Sequence, residues 1–587
     1  VPDLPDAPDV PEGARGPGGA RGRDGSDRPG AHGGPDADAT PDEMTDALTE
    51  ALTEQSVIDP AAGREFGDDP SAMSAGKLQQ RAVRGAAWTA MQTLIAIPIA
   101  FAVNLVVARV LGAADYGRLA LLTALMEFVS SLLTTGFATA VIQFGAKAHA
   151  AGRRSDVARL LSQWQGFRLI FVMPVLAGVV LFSADVPVEA MVVAILFGVV
   201  LPSALDGGAA CLGIENKTDD GAKIALVTTL ATQAAVLVVA LTARTPDAVW
   251  ATRLIVGGTA VALCLFRISP EYRVAVLRPI FPRRMPDGFW RFAIPMGVAG
   301  VVGGLVSSRS EVFVMNWLAT PAALGVYALA FGLAVHAFAP AQAIVGPLIP
   351  AISGLREVDE GAVRPAFRRV IRAGSTVVGG VEAAALAPLA LLVPVLYGAE
   401  FADASPVVVA LGVSAGLATV GGPVFAFVSA RLSGRAILLA NVAALVVDLV
   451  LAVALIPPLG VWGAVIANAS GVLTSLTILS TRELRSLEIP AWTALRDALP
   501  AVLGSVVAVT LYAAASSLPG PALARAIGTA VVGAALYLGL VRLCRTGLSV
   551  GDAGAVLRVV PRRVHAPARL GVSLLSATRP TDEGASA

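Results

Sequence analysis

The sequence predicts an all-α, polytopic membrane protein of about fourteen transmembrane helices, arranged as two six-helix lobes in a pseudo-two-fold relation plus two C-terminal helices. Three observations predict it. Hydrophobic residues make up 55% of the chain and charged residues 15%, with a mean hydropathy of +0.71, whereas soluble domains carry about 25% charge. The apolar residues fall into blocks of roughly 20, the length of a helix that crosses hydrocarbon. Lysine and arginine collect in alternate loops between those blocks. A net charge of +1 gives no bulk electrostatic case for a nucleic-acid partner.

Residues 1–76 are rich in Pro, Gly and Asp and bury too little to order themselves, so they are expected to be a disordered cytoplasmic tail. They lack the apolar core of a secretory signal, and Met73 offers an alternative start. The first lobe is placed at 77–270, with apolar blocks at 86–109, 116–138, 160–182, 188–208, 222–242 and 248–267. A basic cytoplasmic linker occupies 271–288. The second lobe, 289–482, has blocks at 290–316, 322–348, 372–396, 405–429, 435–456 and 460–480. Two extra helices lie within 483–545, and 546–587 reads as a basic, disordered cytoplasmic tail.

The loops support this count. Lys77, Arg81 and Arg84, then Lys147, Arg153 and Arg154, then Arg267 to Arg291, then Arg356 to Arg372 all fall on one side. The intervening loops "SADVPVE", "LATPAALG", "YGAEFADASP" and "IPPLG" carry no Lys or Arg. By the positive-inside rule both termini are cytoplasmic. Arg109, Arg118, Arg244 and Arg525 are exceptions at outer ends. The short turn in "ARVLGAADYGRLALL" (108–122) recurs as "NWLATPAALGVYALA" (316–330), between the first and second spans of each half. This reads either as a parallel repeat, a common transporter plan, or as chance in an Ala/Gly/Val-rich chain.

The opening "RGAAWTAMQTLIAIPIAFAVNLVVARVLGAADYGRLALL" resembles that of the bacterial polysaccharide biosynthesis membrane proteins, the oligosaccharide flippases. "GFATAVIQFGAKAHAAGRRSDVARLL", "LYGAEFADASPVVVALG" and "SGRAILLANVAALVVDLVLAVALIPPLGVWGAVIANASGVL" are similar to later parts of that family, and the resemblance covers roughly residues 80–545. The family shares a superfamily with lipid II flippases and multidrug and toxin extrusion transporters. The resemblance implies two lobes around a central cavity, alternating access, and a bacterial plasma-membrane location. It also implies an oligosaccharide on an undecaprenyl-diphosphate carrier as substrate, moved from the inner to the outer leaflet.

Such a substrate needs a wet cavity with cationic groups, and ionisable residues inside spans are functional candidates by default. Arg309 and Glu311 sit in "GGLVSSRSEVFVMNW", on nearly opposite faces of a straight helix. Arg309 is assigned to the diphosphate, since guanidinium pairs bidentately with phosphate; the alternative is snorkelling to the surface. Glu311 then reads as an interhelical partner. Arg168 in span three is placed to meet a phosphate from the cytoplasmic side. Glu127 in span two is either a proton or sodium coupling site or a counter-ion to Arg309 or Arg168. Glu382, Asp448 and His336 read as coupling groups or, more blandly, as satisfied interhelical hydrogen bonds. Pro295, Gly300, Gly303 and Gly304 allow span seven either to bend as a hinge or simply to pack closely.

Four function classes follow: a flippase for a lipid-linked glycan precursor, an ion-coupled drug or cation antiporter of the same fold, a membrane glycan polymerase or ligase, and a non-transporting scaffold. Short outer loops argue against the third. No enzyme activity, cofactor or metal motif is expected: there is no GxxxxGK[ST], and Cys211, Cys264 and Cys544 have no paired spacing. Expected partners are membrane lipid, the glycan substrate, H+ or Na+, and a glycan polymerase or glycosyltransferases.

Overall fold

The computed structural model describes residues 75–283, 285–308, 310–342, 348, 352–353, 355–356, 359–431 and 434–548. Arg309 and most of both expected tails lie outside the described residues. Among these residues the chain is helical: α1 (Ala75–Ala150), α2 (Arg154–Phe167), α3 (Met173–Ser183), α4 (Val188–Ile195), α5 (Leu201–Leu205), α6 (Gly207–Ile214), α7 (Thr218–Thr242), α8 (Pro246–Ala260), α9 (Ala262–Leu265) and α10 (Pro270–Val276). There follow α11 (Phe289–Ser308), α12 (Ser310–Leu318), α13 (Pro321–Gln342), α14 (Glu360–Val381), α15 (Ala387–Tyr397), α16 (Ala404–Ala430), α17 (Gly434–Leu459), α18 (Val461–Ser486), α19 (Ala491–Ser516) and α20 (Ala522–Cys544).

Among the described residues, twelve helices are long and apolar enough to cross a membrane, or thirteen if the bent pair α11–α12 is one span. This is a multi-pass membrane protein. The first candidate, Met91–Ala150, has 60 residues, about 90 Å as a straight rod and far longer than a bilayer core is thick. It is not straight. Gly112 has φ 76° and ψ 175°, and Asn104 Nδ2 donates to the Tyr116 hydroxyl at 2.9 Å. Twelve residues of unbroken helix would separate such groups by about 18 Å. The chain therefore doubles back at "LGAADYG". The predicted fourteen crossings are reached only by dividing α1 at Gly112 and counting the bent pair as a span.

Side-chain size is sorted for lipid rather than water. On α17, Ala440, Ala444, Asp448 and Ala452 face inward while Val446, Val450 and Val453 face outward. Small residues let helices approach, and branched apolar ones suit hydrocarbon. Three wide π-helical turns interrupt the helices, at Arg168–Val172, Leu196–Val200 and Glu382–Leu386. Two of them begin at intramembrane charges singled out above.

The helices form an N-terminal and a C-terminal bundle that meet along α1. At one end, here the turn end, Gly117 of α1 lies against Gly325 of α13. At the other, the linker end, Gly136 lies against Gly297 of α11, and Phe137 packs on Phe289 and Trp290 at 5.0 and 5.5 Å. The short helix α10 docks under the N-terminal bundle, with the Tyr272 hydroxyl 3.0 Å from His149 Nδ1. Burial, with Glu271 beside it, pushes the Tyr272 phenol up to about 12, so it keeps its proton. The last pair, α19–α20, packs on α14 and the wide turn after it. There Gly504 abuts Gly379, Gly533 abuts Ala383, and the Tyr537 hydroxyl donates to the Thr376 carbonyl at 2.7 Å.

Candidate functional site

The C-terminal bundle holds a polar core at mid-helix. Glu311 of α12 is fully buried. Its Oε1 accepts from Asn468 Nδ2 of α18 at 2.7 Å, and its Oε2 lies 3.2 Å from the Ser310 hydroxyl. Ser414 of α16 donates to Asn468 Oδ1 at 2.8 Å. Asp448 of α17 is 1% exposed, and neither carboxyl oxygen has a hydrogen-bond partner among the described residues. Gly471 of α18 sits against it, where a Cβ would come within 3.1 Å of its own. The two carboxyls are near enough to interact electrostatically. A carboxyl buried without a partner is costly, and a second acid beside it raises that cost. A proton or a small cation held between them removes it.

A cavity of about 790 Å³ leads to this core. It is lined by α11, α13, α16, α17 and α18, with Thr135 contributed by α1, and its polar groups include Ser414, Asn441, Asn468 and Ser475. No charged side chain lines it among the described residues. On α1, Glu127, Ser131 and Thr135 follow at four-residue spacing and share a face. Ser131 and Thr135 hydroxyls are 2.9 Å apart, so a polar stripe runs from Glu127 to the cavity wall.

The structure distributes the sequence-predicted residues unevenly. Glu311 and Asp448 come together. Glu382 lies elsewhere, buried in its wide turn and accepting from Ser505 of α19 at 2.8 Å. His336, expected to be buried, is exposed and lies 2.5 Å from its own helix carbonyl at Gly332. Arg168 meets Asp206 at 2.9 Å and stacks on Trp164 at 5.4 Å, so its charge already has an anion. Gly300 and Gly303 line the cavity, and Gly304 is in open space. Span seven turns by 53° between Phe289–Leu305 and Ser310–Leu318, beyond Pro295 and these glycines.

Sequence reading passed over four participants. Asn468 and Ser414 are neutral residues whose role appears only when α12, α16 and α18 converge. Asp206 carries no signal until α5 and α6 fold back on Arg168. Arg253 of α8 did carry one, a cation inside the apolar run "VWATRLIVGG". It sits beside Tyr116, and no ion pair or hydrogen bond to it occurs among the described residues.

Residues 106–406 match the family model described as polysaccharide biosynthesis protein. A search of curated proteins by sequence found no match. Among solved structures, the fold is similar to "Lipid II flippase MurJ, inward closed conformation", with a TM-score of 0.55 and 13% identity over 78% of this chain and 98% of that one. It is also similar to an inward-facing multidrug resistance MATE family transporter of the MOP superfamily. There the TM-score is 0.51, with 15% identity over 68% of this chain and 99% of that one. Both likenesses concern the fold.

Proposed function

Because the chain belongs to the polysaccharide biosynthesis protein family, we propose that it is a bacterial plasma-membrane flippase. It moves a lipid-linked oligosaccharide on a diphosphate carrier between leaflets by alternating access, both termini being cytoplasmic. The observation that carries the mechanism is the buried Asp448 beside Glu311, with no base facing either acid among the described residues. Binding of H+ or Na+ at this pair relieves buried negative charge and draws α12, α17 and α18 together, which is how ion binding is coupled to the position of the bundles. The neutral polar groups of the cavity wall, Ser414, Asn441, Asn468 and Ser475, take sugar hydroxyls. The diphosphate is assigned to Arg309, with Arg253 as a second cation on the opposite bundle. Arg168 is proposed as a tie between α2 and α5–α6, because a phosphate there would have to displace Asp206.

The test is reconstitution in proteoliposomes with a lipid-linked oligosaccharide, with and without a Na+ or proton gradient. Gradient-dependent flipping that is lost in Asp448→Asn supports the reading. Arg309→Ala should abolish flipping and Arg309→Lys restore it only in part, since an ammonium lacks the planar fork.

One observation favours a second reading, an ion-coupled antiporter of drugs or organic cations: the cavity wall is largely apolar and carries no cation among the described residues. Gradient-driven efflux of a cationic dye, with no glycan flipping, would decide for it.

A further inference from the structure

Two segments that the transport reading leaves unused meet at the turn end: 109–117 of α1 and 395–401, the last turn of α15 and the residues just after it. Arg109 Nη1 donates to the Val395 and Leu396 carbonyls, each at 3.3 Å. These belong to the last turn of α15, where carbonyls lack helical partners and the helix dipole is negative. In return, Glu400 Oε2 accepts from the Ala113 backbone N–H at 3.2 Å. Ala113 restarts α1 after the Gly112 break, so that N–H is an unpaired helix-start donor. Each bundle therefore caps a helix end of the other with a side chain of the matching sign.

Close packing surrounds the two bonds. Gly112 is in the left-handed region, and a Cβ there would also lie 2.5 Å from Glu400 Oε2. A Cβ on Gly325 would run into the Ala113 carbonyl, and one on Gly117 into the Pro321 carbonyl. The Tyr116 ring meets Phe401 edge-on at 6.0 Å. The linker end is closed differently, by the Phe137–Phe289–Trp290 aromatic contacts and the Gly136 approach to Ala293 and Gly297. Arg109 and Glu400 are exposed, so each bond is individually weak and competes with water. Such bonds suit a closure that opens in every cycle.

We propose that Arg109 and Glu400 are the paired latch that holds the turn end shut between transport steps. This rests on the alternating-access reading but not on the identity of the substrate. The test uses the full chain in membrane vesicles, with Cys211, Cys264 and Cys544 replaced and a reporter Ala418→Cys in the cavity wall. A membrane-impermeant maleimide is added from the turn side or from the linker side. Glu400→Ala and Arg109→Ala, which remove the acceptor and the donor outright, should each raise the turn-side labelling rate severalfold, and linker-side labelling should not rise. Gly325→Val, which forces the same helices apart, should raise turn-side labelling further. Unchanged turn-side labelling in both charge variants overturns the latch. A parallel chain keeping only the buried Cys211 must stay unreactive in the same variants; if it becomes reactive the bundle has loosened generally and the latch is rejected. Labelling needs no substrate, so raised labelling in a protein that flips no glycan retains the latch and counts against the glycan reading alone.

Discussion

Within the N-terminal bundle, buried acids come with bases: Asp247 with Arg118 through two bonds of 2.7 and 2.8 Å, and Glu215 with Lys217 at 3.0 Å; the half-buried Asp206 pairs likewise with Arg168. In the interior of the C-terminal bundle, Glu311, Asp448 and Glu382 have no base among the described residues, and their bonds are to Asn468, Ser310 and Ser505. Bases return only toward its linker end, where Arg356 and Arg431 hold Glu483 and Arg368 holds Asp497. The two bundles thus solve the cost of buried charge in opposite ways. A self-neutralised pair is a rivet, because separating it strands two charges. An acid left without a base is a vacancy for a mobile cation or proton. On the function proposed above, the first bundle's pairs are structural and the second's acids serve coupling.

Four variants break or sharpen this contrast. The largest effect is expected from Asp448→Asn with Glu311→Gln: flipping should fall about tenfold or more, equivalent to roughly 1.4 kcal/mol or more. Its dependence on the ion gradient should disappear. Melting temperature in detergent should hold or rise, because an unpartnered buried carboxyl is removed. A fall in stability with this variant would mean the pair is structural and sink the contrast.

Asp206→Ala strands Arg168 and should cost about 3 kcal/mol of stability, the low end for a broken buried pair because Asp206 is 27% exposed. Replacing both with apolar residues should recover most of it. If Asp206→Ala is thermally silent yet lowers flipping, Arg168 faces substrate after all. Next in size is Arg253→Gln, expected to lower flipping severalfold at unchanged melting temperature, since no ion pair or hydrogen bond to it occurs among the described residues; a drop in melting temperature alone would make it structural. The smallest effect is expected for Glu382→Gln, which keeps an acceptor for Ser505. Flipping should be near normal and stability within about 1 kcal/mol, measured by the same melt.

Much of this architecture was legible in the chain because a bilayer constrains sequence directly. A spanning segment must satisfy its backbone internally and present apolar length, so helical class and approximate spans follow from block length alone. The break at Gly112 was visible too, since a glycine, an aspartate and a tyrosine interrupt an otherwise continuous run. Less was legible of the candidate site. Glu311 and Asp448 stood out as charges in apolar blocks, but nothing local says that residues 137 positions apart face each other. His336 stood out equally and is exposed. Arg168 looked free for a phosphate because Asp206 lies at a distant break, between α5 and α6.

By itself, then, the sequence determined the solvent this protein lives in, its helices and the short list of charges that had to be explained. Tertiary structure alone decided which charges are already answered by a neighbour and which are left open. The physical reason is that hydrophobic length is a property of one helix, whereas the cost of a buried charge is set by whatever the other helices bring within a few ångströms of it. Arg109 and Glu400 show the same division. As sequence, one is an exception to a charge rule and the other a residue in a loop; only the meeting of two helix ends turns them into complementary caps.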